Sequence, residues 1–301
     1  MPLALDQAGA YIEASGCSLS DYLRLLQASQ GRLLAEREAH AAHPFSVSKT
    51  LTLAFEHLAQ SNALAAELLT ACAFLAPEAI PETFFLEGAV HLGPAFEALA
   101  ADPLQFHAAI KALLSYSLLQ RNATAHTLTV HRLVQAVLKG RLSEAEQDTW
   151  VARVVRAINH VFPVSDALAG YWQNCDKLLP HALASINLGK QWQEHLAEER
   201  MALMNHAASY LVKRTQFSEA EQLFYQVWSH GEHAMGAEHL LIAEAVQGLA
   251  EISFIQGKYQ EAEVFLQRAL HMWEKLLGPE HRRVGADLVN LGAIYAEQEN
   301  Y

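Results

Sequence analysis

The sequence predicts a mainly α protein that closes in an α-solenoid, with one β-hairpin in its first half. Three observations lead there. The last hundred residues repeat themselves with a step of 42, so that Gln216-Phe217-Ser218-Glu219-Ala220-Glu221 returns as Lys258-Tyr259-Gln260-Glu261-Ala262-Glu263. Nearly every other apolar stretch falls at helical spacing. A strand pattern stands out only around residues 117–130.

At the start, Pro2 suits a first helical turn, Leu3, Leu5, Ala8 and Ile12 follow, and Gly16 ends the helix. Ser18 or Ser20 can cap a second helix to about Glu36, carried by Tyr22, Leu23, Leu25, Leu26, Leu33 and Leu34. A helix already amphipathic two residues after Met1 reads as cut from something larger. His43-Pro44 marks a boundary. Ser48 then caps Leu51 to Ala59, with Leu51, Phe55 and Leu58 as its buried face, and a helix from about Ala63 to Leu75 is apolar nearly all round. Pro77 and Pro81 punctuate, followed by short helices near Glu82 to Glu87 and Pro94 to Ala100. Pro103 starts another through Leu104, Phe106, Ile110, Leu113 and Leu114.

Ser117 to Arg121 and His126 to Val130 flank the polar turn Asn122-Ala123-Thr124-Ala125, which predicts the β-hairpin, and a helix from His131 to about Lys139 follows at once. Helices, a hairpin and a helix are the order of a winged-helix domain. Ser143 begins a helix to about Val161 on Trp150, Val154, Val155 and Ile158, with an acidic first turn, and Pro163 ends it. Helices near Tyr171 to Asn187 and Trp192 to Lys213 lead into the repeats.

Further pairs hold the same phase: Gly236-Ala237-Glu238-His239 with Gly278-Pro279-Glu280-His281, Ala208 with Ala250 and Gly292, Tyr210 with Ile252 and Ile294, and Phe217 with Tyr259 and Tyr301. A period in this range means stacked units, none of which buries its apolar face alone. Each unit reads as two helices. Ala243 to Gln256 is broken by Gly257, and Gln260 to Leu277 resumes with Ala262, Phe265, Leu266, Ala269 and Trp273, ending at Gly278-Pro279. The third copy stops at Tyr301, which predicts an open apolar face and implies continuation, self-association with an oligomer partner or local disorder.

These positions resemble the tetratricopeptide repeat, whose small, large and aromatic positions map onto Leu249, Ala250, Ser253, Ala262, Leu266 and Ala269. The 42-residue unit and its Gly-Pro-Glu-His ending are similar to the kinesin light chain variety. A second resemblance lies upstream. Met1-Pro2-Leu3-Ala4-Leu5 looks like the tail of the GLPLAL motif of bacterial NB-ARC (STAND-type) nucleotide-binding proteins. Val130-His131-Arg132, with Leu133-Val134 after it, sits where that family's winged helix carries Met-His-Asp. The resemblance implies Pro2 against adenine and His131 on the β-phosphate of ADP. Two departures stand against it: Arg132 replaces the aspartate, and Met1 stands where the motif has leucine. It covers about residues 1–141 and implies 1–42 as a helical remnant of the nucleotide module and 43–141 as winged-helix-like; 142–200 then reads as a helical connector and 201–301 as the repeats.

No G-x-x-x-x-G-K-[ST] phosphate cradle occurs, so His131 and Pro2 can hold ADP or ATP only if a longer parent supplies that domain. Without it, His131 reads as a helix-start or interface histidine. The densest metal-like group, His230, Glu232, His233, Glu238 and His239, falls at a helix end and in an inter-repeat loop, and Glu238-His239 copies Glu280-His281; with His40 and His43 it is read as surface decoration, and no metal is expected. No nucleophile elbow or Cys-His arrangement is legible, so no enzyme activity is expected.

The 301 residues carry 21 Lys plus Arg against 33 Asp plus Glu, a formal charge of −12, which argues against a general phosphate-backbone binder. The helix Leu104 to Tyr116 offers only Lys111, and the hairpin Arg121, too few cations for a DNA reader. Cys17, Cys72 and Cys175 lie far apart and read as reduced thiols, no apolar run reaches membrane length, and a cytoplasmic location is expected. The tetratricopeptide resemblance implies that first helices line a concave groove, and the family pattern puts Asn205, Ser209 and Lys213, then Gln247 and Glu251, facing it toward a protein or peptide partner, the alternative being ordinary solvated helix positions; Val289 and Ala293 follow in the third copy. The expected function is a non-enzymatic interaction module, the sensor of an NB-ARC-type switch. The alternative is a winged-helix transcription regulator with a repeat sensor.

Overall fold

The computed structural model describes residues 2–24, 45–164, 170–188 and 196–299, which divide into two units, Met1–Val161 and Phe162–Tyr301. In the first unit, α1 (Pro2–Ser15) ends at Gly16, whose φ of 66° only glycine adopts freely. Ser18 Oγ accepts from the Asp21 N–H at 3.1 Å and caps a helical segment over 19–24. The predicted run to Glu36 and the boundary at His43-Pro44 lie outside the described residues. Helix α2 (Phe45–Ser61) begins before Ser48, so Ser48 is helical and not a cap. Val47 shares the helical spacing of Leu51, Ala54 and Leu58, which carries the helix back past the serine.

Asn62 caps α3 (Ala63–Ala73), its Oδ1 accepting from Ala65 N at 3.0 Å. Eight of those residues are buried, so both flanking ends need polar partners. Gln135, itself buried, supplies them at the far end by donating Nε2 to Cys72 O at 2.9 Å and Leu75 O at 3.0 Å. Short helices α4 (Glu82–Glu87), α5 (Ala89–Leu92) and α6 (Pro94–Ala101) precede α7 (Pro103–Ser115), which Asp102 caps at 3.0 Å. Helix α5 was not legible, since four residues show no period.

The hairpin is present but shorter than its pattern, as β2 (Gln120–Asn122) and β3 (Thr127–Thr129). A third strand, β1 (Ile80–Pro81), pairs with β3 to give the antiparallel order β1-β3-β2, with Ile80 opposite Leu128. Two residues, one a proline, carry no alternation to read. Glu82, 6% exposed, is held by Arg121 through two bonds of 2.6 and 2.8 Å, locking the sheet to α4. Helix α8 (Arg132–Arg141) follows, then α9 (Glu144–Val161). Ser143 and Glu146 form a reciprocal cap, and the backbone and hydroxyl bonds from Ser143 hold the Glu146 carboxyl below its usual range. Phe85, Phe96, Phe106 and Trp150 pack ring to ring at the core.

The stretch 142–200, expected as one connector, is therefore divided: α9 belongs to the first unit, while α10 (Tyr171–Ile186) belongs to the second. The residues around Trp192 lie outside the described set. Two two-helix steps and the first helix of a third follow: α11 (Ala197–Lys213) with α12 (Phe217–Met235), α13 (Leu240–Ile255) with α14 (Tyr259–Leu277), and α15 (Arg282–Glu299). The backbone keeps the 42-residue step. Thr215 at φ 58° matches Gly257 at φ 75°, and Gly236 at φ 85° matches Gly278 at φ 86°. At the first pair the helix closes in the same way: Gln216 N donates to Leu211 O and Lys258 N to Ser253 O, each at 2.9 Å.

Candidate partner-binding groove

Helices α11, α13 and α15 are the first helices of successive steps, and they line one groove of about 860 Å³ in the second unit. Asn205 and Ser209 reach it from α11, Gln247 and Glu251 from α13, and Ala293 from α15. The spacing explains this: 205 and 209, and 247 and 251, are one turn apart, and the two pairs are one repeat apart. Lys213 is different. It lies one turn further along α11 and lines a smaller recess of about 360 Å³ with Trp172, Arg214 and Gln216. There its Nζ stands 5.1 Å over the Tyr171 ring, an attraction the sequence phase does not reveal. Val289 is 72% exposed and stands outside the groove's lining.

Three lining residues escaped the sequence reading although they share one repeat phase: His206, Gly248 and Asn290. Gly248 has a packing reason to be glycine, because a Cβ there would stand 2.3 Å from the Phe224 ring. The groove floor is polar and mostly paired. Asn205 Nδ2 donates to Leu241 O at 2.8 Å, Arg283 donates to Glu244 at 2.6 Å while stacking 4.4 Å over the Trp273 ring, and Gln247 Nε2 donates to Asp287 at 2.5 Å. Asp287 occupies a position held by Leu203 and Ala245 in the earlier repeats. It is 0% exposed, and burial pushes its carboxyl up to about 6 against the opposing pull of Gln247 and Arg283. Burial lowers the His206 pKa, with Glu244 opposing, and desolvation by the groove walls raises that of Glu251, which Lys213 partly offsets.

The remaining predicted positions have other surroundings. His131 is the N-cap of α8, its Nδ1 accepting from Leu133 N at 3.1 Å. Pro2 opens α1, and its side chain is outside the described set. In the histidine-rich stretch each group has its own neighbour. His230 Nδ1 meets Gln226 O and His233 Nδ1 meets Ser229 O, Glu232 pairs with Arg268 and Glu238 with Lys275, and His239 caps α13. His40 and His43 lie outside the described residues.

Residues 241–301 match the family model described as tetratricopeptide repeat. The array is thus of that type where it closes the groove. Residues 53–147 match a model described as a domain of unknown function (DUF7779). A "nucleotide-binding leucine-rich repeat (NLR)-like protein" of Hyaloscypha variabilis is 23% identical over 260 residues, 79% of this chain and 24% of that protein. "Protein-lysine N-methyltransferase SMYD4" of Pongo abelii is 29% identical over 105 residues, 34% of this chain and 13% of that protein. The chain therefore spans a quarter or less of either relative. No solved structure matches. Among the described residues no helix is long and apolar enough to cross a membrane.

Proposed function

We propose that this chain is the sensor and regulatory part of an NB-ARC-type switch, binding a protein partner in the tetratricopeptide groove and performing no chemistry of its own. The observation that carries the reading is the groove, with polar side chains from three consecutive first helices directed into one channel. Such a channel suits an extended peptide, whose backbone amides meet carboxamides spaced along the helices. The likeness to an NLR-like protein supports the signalling context. In this reading residues 43–141 are a winged-helix-like packing module, favoured by the small antiparallel sheet between helices, and the protein works in the cytoplasm. ADP or ATP enters only through a further domain of a longer parent, where Pro2 and His131 would face it.

The test is a two-hybrid screen with the wild-type chain, with Ala293→Arg in the groove, and with Tyr225→Arg, on an exposed side chain of α12 away from it. Partners lost with the first variant and kept with the second are expected. Retention of every partner by Ala293→Arg would overturn the groove. Saturable, stoichiometric ATP hydrolysis by the purified chain would overturn the non-enzymatic role.

A further inference from the structure

We propose that the groove takes a basic segment of its partner, with a lysine or arginine side chain entering beside Asn205, His206 and Glu251. This rests on the groove reading and adds the chemistry of what fills it. Asn205 is 3% exposed and commits its amide N–H to Leu241 O, while its Oδ1 is buried at the groove without a donor among the described residues. His206, the next residue, likewise has a buried Nδ1 with no partner among the described residues. Burial favours the neutral imidazole, which can offer a lone pair there. Glu251 lies exposed in the groove, one turn beyond Gln247. Walls that disfavour its ionised form are relieved by an incoming cation.

Two of the donors nearby, on Gln247 and Arg283, are engaged, while Ser209 on α11 keeps an exposed hydroxyl that can donate or accept. Gln247 is committed to Asp287 and Arg283 to Glu244, so the wall built by the first two repeats has acceptors to spare and few donors. Lys213 offsets Glu251 from its own recess, and Arg282 lines the groove from the third repeat. A guanidinium or ammonium brings both the N–H groups and the charge that Asn205 Oδ1, His206 Nδ1 and Glu251 lack. The chain's charge of −12 would draw such a segment in from solution.

The experiment uses fluorescence anisotropy of the full chain with three short labelled peptides, alternating alanine with lysine, with glutamine or with glutamate. The lysine peptide is expected to bind about tenfold more tightly than the glutamine peptide and to lose that margin at high salt. Glu251→Gln, at an exposed side chain, should shrink the margin several-fold while helical circular dichroism stays unchanged. His206→Phe should shrink it again. Equal or tighter binding of the glutamate or glutamine peptide would overturn the inference and leave the groove standing. Binding of none of the three would overturn the groove itself.

Discussion

Thr215 is a β-branched residue in the left-handed region, where Gly257 does the same work one repeat later. The conformation costs an L side chain about 1–2 kcal/mol. Thr215→Gly is therefore expected to raise stability by about 1 kcal/mol, net of the entropy glycine adds to the unfolded chain, as read by urea denaturation. Asp287 is a second local cost. Its folded pKa of about 6 lies above the ordinary 3.8, so the native state holds the proton more tightly than the unfolded one. Stability from this group is full below the unfolded value and falls as pH rises from about 4 to 6, by on the order of 3 kcal/mol. Asp287→Asn keeps an acceptor for Gln247 and removes the charge. It should raise the melting temperature at neutral pH and flatten the curve between those values; an unchanged pH profile would count against a buried, titrating carboxyl.

At the scale of elements, Gly248 sets how closely α13 approaches α12, since Phe224 fills the space a side chain would need. Gly248→Val should cost about 1–3 kcal/mol through overpacking, more than the helix propensity gained over glycine returns. Differential scanning calorimetry of the variant checks this. The long helices were legible because period and punctuation agree: Pro103 at the start of α7, Gly257 and Gly278 at the ends of α13 and α14. Elements of two to four residues, β1 and α5, were not, because their form comes from partners distant in sequence such as Leu128. In the groove, Asn205, Ser209, Gln247 and Glu251 share one lining, in keeping with the repeat phase. The family pattern misplaced Lys213, which a ring on α10 attracts, and it passed over His206 and Asn290, whose neighbours depend on how deep the helices pack.

Across the whole molecule, each unit has its own core, one built on Phe85, Phe96 and Trp150 and the other on buried residues that hold the 42-residue phase, Ala208 with Ala250 and Tyr210 with Ile252 and Ile294. Residues 162–301 expressed alone are accordingly expected to keep their helical circular dichroism and the transition that Gly248→Val lowers in the full chain; loss of that transition would show that the first unit is needed to fold the second. The matched turns at Gly236 and Gly278 carry a last consequence. Each is followed by a histidine cap, His239 on Leu241 N and His281 on Arg283 N, both at 3.3 Å. The segment 237–278 thus begins and ends at identical joints, like a brick with the same mortar line on both sides. Copied and spliced in after Gly278, it would meet the geometry it left, so the channel can be lengthened by one helix without designing a new loop.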